Sequence, residues 1–210
     1  MLKQYYTVKE AGSHEIIINK SRFIGYVSRV NTEEEAQSFI QDIKKLHHDA
    51  THNCSAYIIG DRDDIQKTND DGEPGGTAGI PMLEVLKKLS LKNTAVVVTR
   101  YFGGIKLGAG GLIRAYSSST SETIKKIGIV KGELLQGYTM TISYPLLGKI
   151  ENALQHSPHI VDSKEYAEHV TLTVYVHTDA RQSFETDMIN LTNDQVQLQQ
   201  IGQKYIETLI

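Results

Sequence analysis

Cysteine is almost missing from this chain: Cys54 is the only one in 210 residues. No internal disulfide can form, and a reducing compartment, the cytoplasm, is the expected location. No apolar run approaches the roughly eighteen residues of a membrane span, so no membrane partner is expected. The start, MLKQYYTVKE, lacks the apolar centre of a signal peptide, and export is not expected. A basic surplus is absent as well, since 22 Lys and Arg face 25 Asp and Glu for a formal charge of −3. That balance argues against a protein that coats nucleic acid without selectivity. Familiar catalytic signatures are also missing. The chain holds no GxxxxGK[ST] loop, no GxSxG elbow, no HExxH and no CxxC pair, which leaves a Walker nucleotidase, a peptidase and a zinc ribbon without support.

Charge is present but uneven. Residues 1–130 hold 17 Lys and Arg against 15 Asp and Glu, and residues 131–210 hold 5 against 10. The first part carries about +2 and the second about −5, so a local basic face belongs in the first.

The richest stretch is Ala95 to Arg114, AVVVTRYFGGIKLGAGGLIR, an apolar strand that ends in Arg100-Tyr101-Phe102 and enters a helix through Gly103, Gly104, Gly108, Gly110 and Gly111. Each glycine lowers local order by roughly 0.5–1 kcal/mol in regular structure. Close approach of the backbone to another body would offset that, and at a strand-to-helix junction the body is often an anion facing unpaired N–H groups. It is not a dinucleotide loop: Gly108-Ala109-Gly110 begins like GxGxxG, but Ile113 stands at the third glycine position. Arg100, Lys106 and Arg114 bracket the loop, and phosphate is the natural ligand. Tyr101 and Phe102 are of the type that stacks on bases. The alternative is that the glycines only let a helix pack closely on a sheet.

Short strands are expected at Tyr5–Glu10, Ser13–Asn19 and Phe23–Val30, as an antiparallel meander. Thr32 with Glu35 forms a capping box for a helix whose Ala36, Phe39, Ile40, Ile43 and Leu46 share a face. A strand at Asn53–Gly60 pairs with Gln66–Asn69, a helix runs from about Ala78 to Ser90, Ala95–Phe102 is a central strand, and a helix follows from Gly111 to about Ile127. A boundary at residues 127–132 gives domains 1–130 and 132–210. The second domain reads βαββαβ, the split-βαβ or ferredoxin-like order.

Asp70, Asp71 and Glu73 form an acidic turn that could hold Mg²⁺ with several waters, and a metal beside an anion-binding helix start would handle phosphoryl groups. The plainer reading is a solvated turn. His47, His48, His52 and Cys54 lack the pairing of a zinc site, and Cys54 is expected to be buried and inert. Arg100, at the end of a buried strand, must meet Asp70, Asp71 or Glu73, or an anionic partner. His52 would support the cluster.

The segments Ala50–Tyr57, Asn69–Pro81 (NDDGEPGGTAGIP) and Arg100–Gly108 (RYFGGIKLG) resemble signatures of the IMPACT family, and the two-domain layout is similar to its bacterial, YigZ-type branch. The resemblance implies an α+β protein. Its N-terminal domain would have the ribosomal-protein-S5-domain-2-like α/β fold shared with domain IV of elongation factor G. Its C-terminal domain would be ferredoxin-like, as in domain V of that factor. Eukaryotic members inhibit a starvation-responsive translation kinase with the help of a different accessory domain, so the resemblance implies a link to translation more than that role. The expected partner is RNA, the ribosome or a protein of the translation apparatus, bound without catalysis and without a resident cofactor; the rival is a Mg²⁺-dependent enzyme acting on a phosphorylated small molecule or nucleotide.

Overall fold

In a computed structural model, which describes residues 2–210, the apolar run from Ala95 to Val98 is the centre of a five-stranded antiparallel sheet. In chain order the elements before and through it are β1 (Gln4–Val8), β2 (Gly12–Ile18), β3 (Ser21–Arg29), α1 (Glu33–Leu46), β4 (His52–Ile59), β5 (Ile65–Asn69), α2 (Gly79–Lys88), β6 (Thr94–Tyr101) and α3 (Gly108–Ile127). The strand order is β2-β3-β6-β4-β5. Side chains alternate across β6. Val96 and Val98 join Cys54, Ala56, Met82, Leu86 and Tyr116 in a core on the α2/α3 face, while Ala95 and Val97 join Ala36, Ile40 and Ile43 on the α1 face. A strand covered on both faces has to be apolar throughout.

Local chemistry explains the helix starts. The Thr32 hydroxyl accepts from the Glu35 N–H at 3.2 Å, as expected of a capping box, while the Glu35 carboxylate accepts from the N–H of Asn31, one residue before the N-cap, at 2.6 Å. α2 has no capping side chain at Ala78; Asp70 takes that role from a distance, as described below. α3 begins at Gly108, three residues before the expected Gly111, so three of the glycines form its first turn.

β1 is not part of the meander. It pairs with β7 (Ile129–Ile142), and Tyr6 forms a parallel bridge to Leu91. An alternating pattern sets which side of a strand is buried but not its partner. Beyond β7 come α4 (Tyr144–Gln155), β8 (Ile160–Tyr166), β9 (Val170–His177), α5 (Arg181–Thr192) and β10 (Gln197–Leu209).

The chain divides into two units, one running to Gly132 and including Glu207–Ile210, the other Glu133–Ile206. β7 continues through the expected boundary, and the last four residues, read from sequence as part of the second domain, cluster with the first. There Glu207 pairs with Arg29 at 2.8 Å. The second unit is a sheet of order β10-β7-β9-β8, with β9 antiparallel to both neighbours. This is the ferredoxin-like arrangement, and its core is built from Tyr138, Met140, Ile150, Leu172, Val174 and Phe184. No described helix is long and apolar enough to cross a membrane.

Candidate anion-binding pocket

Arg100 lies on β6 two residues beyond Val98, so its side chain falls on the α2/α3 face of the sheet. Its register partners on the neighbouring strands are Phe23 and His52. These three residues sit at the end of the sheet where the chain leaves for α3. Arg100 is only 5% exposed, and its Nη1 donates to Glu73 Oε1 at 2.6 Å. The same oxygen accepts from the Tyr116 hydroxyl at 2.8 Å. The guanidinium carbon lies 5.4 Å from the centre of the Phe23 ring and 5.5 Å from that of Phe102, within range of a cation–π contact. Arg100 Nε is buried with no hydrogen-bond partner. A donor left in that state costs about 1–3 kcal/mol.

The acidic turn meets the sheet from the other side of the cluster. Asp70 Oδ2 accepts from the Gly76 N–H at 2.8 Å, and its Oδ1 accepts from Ala78 at 3.1 Å and Gly79 at 2.8 Å. Burial works to raise its pKa, but these three N–H donors outweigh it and hold the carboxyl below its usual range. Asp71 accepts from the Asn53 N–H and from Lys44, both at 2.6 Å. The Mg²⁺ reading of this turn therefore fails on its donors. Asp70 caps α2, Asp71 ties the turn to β4 and α1, and Glu73 balances Arg100. Among the described residues no group of three acidic, histidine or cysteine side chains could hold a metal.

His52 Nδ1 lies 2.8 Å from the Asp71 carbonyl oxygen. A carbonyl only accepts, so Nδ1 carries the proton and Nε2 of the neutral ring is an acceptor. Cys54, two residues on, donates from Sγ to the Asp70 carbonyl at 3.0 Å. Burial pushes its thiol up to about 12, the wrong direction for a nucleophile. Burial likewise pushes the Tyr116 phenol far up.

Above this cluster lies a cavity of about 320 Å³, lined by Thr51, His52, Glu73, Pro74, Arg100, Phe102, Lys106, Leu107, Gly108, Ala109 and Leu112. Leu107 leads α3 without any side-chain cap, so the first N–H groups of α3 are left to solvent or a ligand. Lys106 is exposed beside them. Phe102 is 46% exposed, and its N–H donates to Thr51 Oγ1 at 3.0 Å. The loop glycines divide by cause. A Cβ on Gly103 would sit 2.1 Å from the Lys20 backbone, and Gly108 holds a φ of +69°; both are set by the fold. Gly110 has neither constraint, with nothing within 4 Å of a built Cβ.

The structure thus brings Arg100, Phe102, Lys106, Gly108, His52 and Glu73 together at one cavity. It separates Tyr101, which points to the α1 face and donates to Asp49 at 3.0 Å while its oxygen lies 2.9 Å from His47 Nδ1. Arg114 is exposed nearly two turns into α3 and does not line the cavity. Sequence reasoning missed Tyr116 and the apolar wall of Pro74, Leu107 and Leu112. Leu112 and Tyr116 are four apart on one helix face, and a buried tyrosine hydroxyl needs a partner; that signal was available.

Residues 19–124 match the Impact N-terminal domain, and residues 140–195 match a domain of unknown function, DUF1949. The IMPACT family member YvyE of Bacillus subtilis (strain 168) is 55% identical over 210 residues, which is 100% of this chain and 97% of that protein. The family member YigZ of Escherichia coli (strain K12) is 33% identical over 183 residues, 86% and 90% of the two chains. Protein IMPACT homolog of Schizosaccharomyces pombe is 37% identical over 101 residues, covering 46% of this chain and 35% of that protein. A crystal structure of a protein described as hypothetical superposes with a TM-score of 0.60 at 29% identity, over 96% of this chain and 99% of the other. By this shared sequence and the two domains that carry it, the chain belongs to the IMPACT family.

Proposed function

We propose that this is a cytoplasmic, translation-associated binding protein that holds a phosphate of RNA, on the ribosome or off it, in the cavity at the start of α3. The observation that carries the reading is the buried Arg100, with an unpartnered Nε, lining the same cavity as the uncapped helix start. A phosphate there meets the positive end of the α3 dipole, the Lys106 ammonium and the Arg100 guanidinium. Gly110 supports the reading because it gives up helix stability at a site where the fold leaves room for a side chain. The reading is one of binding without catalysis: the thiol and phenol nearest the site are both shifted away from reactivity by burial. The basic balance of the first domain and the acidic balance of the second favour the first as the face toward RNA.

Sedimentation of cell lysate through a gradient at low and high salt tests this. Wild type should travel with ribosomal fractions at low salt and leave them at high salt, and Lys106→Ala should leave them at a lower salt concentration than wild type. Co-migration of Lys106→Ala that matches wild type at every salt concentration would overturn the reading. Arg100 is left intact in this test, because its removal also strands Glu73.

A further inference from the structure

The cavity offers more than positive charge. Glu73 Oε1 is taken by Arg100 and Tyr116, but among the described residues Oε2 accepts no hydrogen bond. It stands 3.8 Å from His52 Nε2, too far for a bond between them. With its Nδ1 proton held by the Asp71 carbonyl, the His52 ring in its neutral form presents a lone pair at Nε2. Two acceptors therefore face each other beside a cluster of donors. The opposite wall is apolar, formed by Pro74, Leu112 and the half-exposed ring of Phe102.

We propose that the cavity recognises a ribonucleotide unit. Its phosphate lies at the start of α3 by Lys106, its 2′-hydroxyl places its single proton between Glu73 Oε2 and His52 Nε2, and its base lies on Phe102. This rests on the phosphate-binding reading above and adds a reason for choosing ribose over deoxyribose. A phosphate alone would satisfy Arg100, Lys106 and the helix N–H groups but would be repelled by the acceptor pair. A hydroxyl carries one proton, which two acceptors 3.8 Å apart can share as a three-centre bond, and the 2′-hydroxyl is what separates RNA from DNA at a single site. Glu73 is the ion-pair partner of Arg100, so the hydroxyl meets a charge-assisted acceptor, the stronger kind of hydrogen bond.

The test is fluorescence anisotropy of the full chain with labelled hexauridylate, its 2′-deoxy counterpart and its 2′-O-methyl counterpart, at low salt. The ribo-oligomer should bind roughly tenfold more tightly than either analogue, as for one lost hydrogen bond to a charged group. His52→Ala should shrink the ribo-to-deoxy preference toward one without abolishing it, since Glu73 Oε2 remains, whereas Lys106→Ala should weaken all three alike and leave the preference unchanged. The analogue series needs no variant, so it decides the matter even if His52→Ala does not fold. Equal affinity for ribo and deoxy forms, with salt sensitivity kept, would overturn the ribose assignment while leaving the phosphate reading standing. Absence of salt-sensitive binding to any of the three would overturn both. Uridine 5′-monophosphate as competitor separates the two sources of this chemistry: displacement at the same ribose preference assigns the cavity to a free nucleotide, and its failure with that preference intact assigns it to a strand.

Discussion

Arg100 is a charged side chain on a sheet face whose core is apolar, with Phe23, Cys54, Ala56 and Val98 around it. Its position follows from the period of two along β6, and its tolerance there depends on Glu73, which is itself fixed by Tyr116. A buried pair of this kind is weak support for stability as a whole but costly to break singly. Arg100→Ala should lower unfolding free energy by about 3–5 kcal/mol, and adding Glu73→Gln should recover part of the loss because the stranded charge is removed. Urea unfolding of the two single variants and the double variant measures this. Strict additivity would contradict the coupling. The sequence pointed to this meeting without fixing it: a charged residue ending an apolar strand needs a counter-ion, and three carboxylates lay within reach. Which of them it meets depends on how the turn from Asp70 to Gly76 folds, and that turn is organised by backbone N–H groups that have no signature in side-chain types.

At the scale of elements, α2 and α3 begin in opposite ways. α2 borrows Asp70, eight residues before its N-cap Ala78, to hold three N–H groups. Because the folded pKa of Asp70 is depressed, its charge contributes stability that is fully present above the ordinary aspartate value, about 3.9, and is lost as pH falls through the lower folded value. Asp70→Ala should cost about 1–2 kcal/mol at pH 7, and the gap to wild type should narrow below about pH 4. Thermal unfolding across pH 2–7 checks it; a gap independent of pH would contradict the assignment. α3 has no such cap. Gly110→Ala should stabilise the fold by up to about 1 kcal/mol through helix propensity, and under the proposed reading should weaken RNA binding, because a methyl group would fill the open space at that glycine. Gly103→Ala, by contrast, meets the Lys20 backbone and should destabilise. Unchanged RNA affinity in a stabilised Gly110→Ala would remove the ligand-based reason for that glycine. Element types were legible because the helices and buried strands are strongly periodic. The early start of α3 was not, because glycine carries no periodicity, and the partner of β1 was not, because strand pairing across more than a hundred residues is absent from local pattern.

For the whole molecule, two domains with opposite charge balance share one chain, and the first recovers the last four residues of the sequence. The βαββαβ order of the second domain was plain from evenly spaced elements, but such a scaffold says little about function by itself. The lining of the cavity was legible in part: Arg100, Phe102, Lys106, Gly108, His52 and Glu73 were all named from sequence and converge there. Tyr101 was placed with them only because it neighbours them in the chain, and alternation sends it to the other face. The acidic turn was readable as a cluster, but its use as cap, tether and counter-ion depends on distances that spacing alone does not give.

The central claim is that the uncapped start of α3, with Lys106 and Arg100, holds a nucleic-acid phosphate. It is tested most directly by measuring the affinity of wild type and Lys106→Ala for hexauridylate over a series of salt concentrations. Wild type should lose affinity linearly on logarithmic axes, and Lys106→Ala should bind more weakly with a slope smaller by about 0.7 unit, one single-strand phosphate contact. Identical affinity and identical slope for the two proteins would contradict it.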